Sequence, residues 1–205
     1  MKPGDDVFTE DDLAPSSEDR RARRRDVLER GATALAVAAL GLWMGGLVAL
    51  GTCAAPFVFE RTPYPFSAQA MGAAFERFDR IAIGCAVAVL AAEVVRTLVT
   101  LRRPDVRSVM ARARRYGAIL LAVAASYSGL RLTPEILRLH HEGQASLEAS
   151  RAPGTELSSL HSQAELIAKA IAVVALLLIV LHVATLRAPR DDDEADAPLP
   201  PGPRS

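Results

Sequence analysis

Apolar and polar positions are segregated along the chain into long blocks. A run from Thr33 to Ala55 contains no charge, a second covers Ile81 to Leu101, a third begins at Tyr116, and a fourth covers Ala164 to Leu186. The hydrocarbon core of a bilayer is about 30 Å thick, so roughly 20 mostly apolar residues make a spanning helix. A backbone in lipid has to satisfy its own hydrogen bonds, so each run reads as a helix. At about 1.5 Å per residue the first run reaches roughly 34 Å, and Pro56, with no N–H to donate, is expected to end it. Arg102, Arg103 and Pro104 stop the second run, which carries Glu93 and Arg96 inside. The third is clearly apolar only to Leu130. Arg131 can snorkel and Ile136 to Leu139 is again largely apolar, so this helix is expected to reach about residue 137, with Pro134 a candidate kink.

These elements predict an all-α fold: an integral membrane four-helix up-down bundle, with spans at about 33–55, 81–101, 116–137 and 164–186 inside a domain covering 32–187. Ser67 is a candidate cap for a short interfacial helix, Ala68 to Arg80, lying on the outer surface. Small residues favour close packing: Gly41, Gly45 and Gly46 in the first span, Gly84 and Ala88 in the second, Ala118, Ala122 and Ala125 in the third. Gly41-x-x-x-Gly45 forms a small-xxx-small face. Residues 1–31 read as a disordered tail, acidic at Asp5, Asp6, Glu10, Asp11 and Asp12 and basic beside the membrane. Residues 188–205 read as a second disordered tail, acidic and proline-rich.

Charge then sets an orientation. Arg20, Arg21, Arg23, Arg24, Arg25 and Arg30 precede the first span, and Arg102, Arg103, Arg107, Arg112, Arg114 and Arg115 connect the second and third. The other two connections carry only Arg61, Arg77 and Arg80, then Arg131, Arg138 and Arg151. The positive-inside rule puts the amino terminus, the middle connection and the carboxyl terminus in the cytoplasm. The amino-terminal cluster is expected to meet anionic lipid headgroups, at roughly 1 kcal/mol per charge. Arg24-Arg25 before an apolar run also fits a twin-arginine export signal, but the run is longer than the usual h-region. Basic residues are 22 Arg against 2 Lys, which suggests a GC-rich bacterial genome and hence a bacterial inner membrane.

Little in the chain points to catalysis. There is no phosphate-cradling glycine loop, HExxH, CxxC or nucleophile elbow, so it is not expected to be an enzyme. The basic stretches lack aromatic interleaving and flank spans, so nucleic acid is not an expected partner. No cofactor is expected, and homo-oligomerisation is left open.

The candidate chemistry lies in polar groups within the spans. Glu93 is placed near the midplane, with Arg96 three residues on. Tyr127, with Ser126 and Ser128, is placed in the same interior. This is either a proton or cation relay or a self-paired structural ion pair. At the outer mouth, His161, Glu165 and Lys169 share a face at i, i+4 and i+8, and Arg77 and Asp79 are placed at the rim. A route joining this mouth to Glu93 between the second and fourth helices would be a transport path; the alternative is a helix entrance facing water. His140 and His141 with His161 offer imidazoles for a metal or haem, without a full ligand set. Cys53 and Cys85 lie at matching depths and are either a thiol pair or, more in keeping with free cysteine, packing residues.

Several residues together resemble a known family. The first span holds Trp43, Gly45 and Gly46 and leaves through Pro56-Phe57-Val58-Phe59. Phe75-Glu76-Arg77-Phe78 precedes the second span, and Leu160-His161 precedes the fourth. Their order resembles the transmembrane protein 205-like family, domain of unknown function 4149, over roughly residues 33 to 187. The resemblance implies a small polytopic membrane protein without an established biochemical activity. The link of its eukaryotic relative with platinum-drug resistance adds a hint of export or trafficking. The Trp-Gly-Gly helix is also similar, more faintly, to copper-resistance D-type membrane domains, whose metal ligands have no full counterpart here. The functional expectation is handling or transport of a small solute. The alternatives are a membrane-embedded scaffold and a metal- or haem-handling protein. Trp43 is read as a packing residue, and Phe57, Phe59, Tyr64, Phe66, Phe75 and Phe78 as an aromatic girdle at the outer interface.

Overall fold

The structure is a computed structural model and describes residues 16–100, 109–148 and 155–185. Helix α1 (Ser17–Val48) opens on a capping box, in which Ser16 and Asp19 satisfy each other's backbone N–H groups. A π-helical segment (Ala49–Ala54) leads straight into α2 (Ala55–Arg61). Helix α3 (Phe66–Thr100) follows a short turn. Helix α4 (Val109–Tyr127) passes through a second π-helical segment (Ser128–Leu132) into α5 (Thr133–Glu148), and α6 (Thr155–Ala184) completes the fold. The eight segments form four rods: α1–α2, α3, α4–α5 and α6. The described residues contain no strand, as the expected all-α bundle requires.

The rods pack as a ring in which α3 lies between α1 and α4, and α6 closes the square between α4 and α1. Each rod buries a stripe with alternating steps of three and four residues. On α1 it is Thr33, Ala36, Leu40 and Trp43, and on α6 it is Ile171, Ala175, Leu178 and His182. On α3 the stripe runs through Phe78, Ala82, Cys85, Val89, Ala92 and Arg96, and on α4 through Ala111, Arg114, Ala118, Leu121 and Ala125. This spacing keeps one seam facing the partner helices. The outward faces are apolar as well: Leu42, Val87, Val123 and Leu176 are all exposed. A helix apolar on every side belongs in lipid. The rods Ser17–Arg61, Phe66–Val99 and Leu157–Ala184 are long and apolar enough to cross a membrane, which makes this a multi-pass membrane protein.

Several expected boundaries move. Pro56 does not end the first helix. The turn widens instead, and Ala55 N–H bonds Leu50 O, five residues back, immediately before the proline. The α4–α5 rod repeats this, with Thr133 N–H bonding Ser128 O immediately before Pro134. In each case the wider turn makes room for a ring that an α-helical turn would exclude. The first helix also begins at Ser17, so the basic cluster from Arg20 to Arg30 is helical and not part of a disordered tail. The interfacial helix over Ala68 to Arg80 is not a separate element. No breaker lies between Arg80 and Ile81, and Ser67 is buried inside α3 with its N–H on Pro63 O at 3.3 Å. The remaining tail residues lie outside the described ones.

Candidate functional site

All four rods bring polar groups together at one end of the bundle. Glu93 and Arg96 come from α3, Arg114 from α4, His182 from α6, Thr185 from just beyond it, and Glu29 from α1. Glu93, Arg96, Arg114 and His182 are each more than nine-tenths buried. Buried charge in such a setting survives only when paired and hydrogen-bonded. Arg114 Nε donates to Glu93 Oε1 at 2.8 Å, and Arg114 Nη1 to Thr185 Oγ1 at 3.0 Å. Arg96 Nη1 lies 3.1 Å from His182 Nδ1, and its Nη2 lies 3.5 Å from Thr185 Oγ1 and 3.6 Å from Glu29 Oε1. Thr185 donates its own hydroxyl proton to Leu181 O at 2.7 Å. Its hydrogen-bonding capacity is thereby used in full: two guanidinium donors in, one proton out. Two carboxylates face two guanidiniums, so the layer is electrically balanced.

The contacts also fix the protonation pattern of His182. A guanidinium can only donate, so Nδ1 accepts and the ring proton sits on Nε2. That Nε2 lies 3.6 Å from Glu93 Oε1, beyond hydrogen-bond length. His182 Nε2 and the second carboxylate oxygen, Glu93 Oε2, are buried without a hydrogen-bond partner. The layer lies at one edge of the apolar zone: Glu29 and Arg30 stand immediately before the charge-free stretch of the α1–α2 rod that runs to Phe59.

Glu93 and Arg96 are thus in the interior as expected, but they do not close on each other. Arg114 and Glu29 take the carboxylate and the guanidinium instead, and Glu93 belongs to an end layer, not the midplane. Tyr127 is exposed and takes no part. It is thirteen residues beyond Arg114, which at about 100° per residue turns it to the opposite face of the rod. Four participants escaped the candidate set: Arg114, His182, Glu29 and Thr185.

The outer-mouth residues do not form a cavity mouth. His161, Glu165 and Lys169 are exposed, and Glu165 and Lys169 pair with each other at 2.6 Å. His161 Nε2 sits 3.3 Å from His140 Nε2. Arg77 points to the surface, while Asp79 is half-buried and accepts from Thr133 Oγ1 at 2.5 Å. Asp79 and Glu93 lie fourteen residues apart on α3, about 21 Å at helical rise. The space between is filled by Leu40, Trp43, Val89, Leu121 and Leu178. The expected polar route between the two ends is therefore absent among the described residues, because packed apolar side chains fill it. An open depression beside α6 has Ser158, Ser162, Glu165 and Lys169 in its described wall and does not reach Glu93.

Both cysteines are free thiols. Cys85 is a core residue, whereas Cys53 is exposed in the first π segment. Of the motif residues, Trp43 is buried as expected, and Gly46 lies against the Phe78 ring so closely that a Cβ there would stand 2.2 Å from Phe78 Cε2. Phe78 is therefore a core residue and leaves the girdle, while Phe57, Phe59, Tyr64, Phe66 and Phe75 are exposed. A Cβ at Gly41 or Gly45 would meet nothing within 4 Å, so no described residue packs on their small-residue face.

An all-helical bundle with long lipid-compatible rods and one buried ionic layer defines a small polytopic membrane protein. Residues 38–145 match the family described as Domain of unknown function (DUF4149), and the chain belongs to that family. No curated protein and no solved structure matches the chain.

Proposed function

We propose that the protein handles a small solute across the membrane in a proton-dependent manner, with Glu93 as the proton acceptor of the ionic layer. One observation carries this reading: Glu93 Oε2 and His182 Nε2 are buried polar atoms without a hydrogen-bond partner, on groups set among four others. Ionisable groups within membrane rods are costly, and an unsatisfied buried polar atom calls for a reason to be retained. A proton on Oε2 neutralises Glu93 and leaves two guanidiniums facing the single carboxylate of Glu29. The balance that holds α3, α4 and α6 together at this end is then lost, which favours opening there. In this reading the arginine-rich ends face the cytoplasm of a bacterial cell, with the helical cluster from Arg20 to Arg30 against anionic headgroups.

Proteoliposomes loaded with a pH-sensitive dye test the proposal under an imposed pH gradient. Wild-type protein is expected to dissipate the gradient faster than empty vesicles, and Glu93→Gln is expected to remove the difference. Equal rates for wild type and variant would contradict it.

A second reading, a membrane-embedded scaffold, is favoured by the electrical balance of the layer and by the apolar packing between the two ends. It expects no flux from either protein.

A further inference from the structure

The geometry points to a zinc site formed by His140 of α5 and His161 of α6, at the end of the bundle opposite the ionic layer. Two observations carry it independently of the function proposed above. The Nε2 atoms lie 3.3 Å apart, and the ring centres lie 5.4 Å apart with the planes at 65°. On tetrahedral zinc, two imidazole nitrogens each about 2.0–2.1 Å from the metal are about 3.3–3.4 Å from one another. Rings aimed at that metal along their lone pairs have centres about 5.2 Å apart. The two histidines thus already hold the nitrogen spacing of adjacent ligands.

The surroundings suit a divalent cation. Arg138, the nearest cation on α5 in sequence, is held by Glu135 and Glu142, so this stretch of the helix carries net negative charge. On α6, Lys169 is neutralised by Glu165. Without metal, one imidazole donates its Nε2 proton to the other. Metal binding needs both Nε2 lone pairs, so the donor ring takes the Nδ1–H tautomer with no net proton release. No third His, Cys, Asp or Glu joins the pair among the described residues. With two protein ligands and water in the remaining positions, the site would be open and exchangeable. Its ligand class is a first-row divalent cation with imidazole affinity, zinc foremost. Bound metal would tie α5 to α6.

The test uses the full-length protein without a polyhistidine tag, in nanodiscs, titrated with zinc chloride and followed by calorimetry and thermal unfolding. Wild type is expected to bind one zinc per chain at micromolar concentration, with Tm raised by a few degrees at saturation. His140→Ala and His161→Ala should each weaken binding by about tenfold or more and abolish the rise in Tm. His161 is exposed, so its substitution should leave the metal-free Tm unchanged, whereas His140 is half-buried; His161→Gln, which keeps a polar side chain there, provides a second variant if alanine disturbs folding. No zinc binding by wild type, or an undiminished response in both variants, would overturn the inference.

Discussion

Glu93 and Arg114 form the tightest buried charge pair of the bundle, and their value depends on which partner is removed. Deleting one member of a buried pair leaves an uncompensated charge, at a typical cost of about 3–5 kcal/mol, whereas replacing both with apolar groups is often neutral or stabilising. Glu93→Gln alone should therefore lower thermal stability clearly, by an amount in that range, because Arg114 loses its counter-ion. Adding Arg114→Met should restore most of the loss. Unfolding midpoints of the four combinations in detergent give the coupling directly, and additive losses would show that the two groups do not act as a pair. His182 can then be judged against the same background. Its ring is held by Arg96 alone at Nδ1, which leaves Nε2 facing Glu93.

At the scale of the elements, much was legible in the sequence, and the misreadings share a cause. Long apolar runs identified three of the rods and the core of the fourth, because lipid imposes helix on any such run. The boundaries failed wherever one local signal was read as decisive. Pro56 and Pro134 read as stops or kinks, yet each is preceded by a π turn that no pattern of residue types announced. The same dependence on local pattern explains the missed site residues. Arg114 counts among the arginines of a connection and His182 lies near the end of the fourth apolar run, although each sits on its helix's three-and-four stripe: Ala111–Arg114–Ala118 and Ala175–Leu178–His182. Glu29 likewise lies four residues before Thr33 on the stripe of α1. Extending each stripe past the apolar run would have brought the ionic layer together from sequence. Nothing along the chain could have shown that Arg114, rather than Arg96, faces the Glu93 carboxylate, because that depends on how α3 and α4 are rotated against each other. The Gly41–Gly45 face misled for the same reason: spacing defines a face, not what covers it.

Over the whole molecule, the four rods place the ionic layer at one edge of the apolar zone and the His140–His161 pair toward the other. In the proposed orientation both tails are on the cytoplasmic side, the side the arginine distribution favours. Reporter fusions after residue 15 and after residue 200 should both read inside, and an outside signal from either would refute that arrangement. The α4–α5 rod is the exacting part of this expectation. Its uninterrupted apolar stretch, Tyr116 to Leu130, covers only about 22 Å at helical rise, so it depends on the other rods for shelter. The proposed function requires the ionic layer to hold a carboxylate that takes up a proton at its free oxygen. Infrared difference spectroscopy of the protein in nanodiscs, stepped from neutral to acidic pH, measures this directly. A carboxylic-acid C=O band from a buried group is expected to appear on acidification in wild type and to be missing in Glu93→Gln. Identical difference spectra from the two proteins would contradict it.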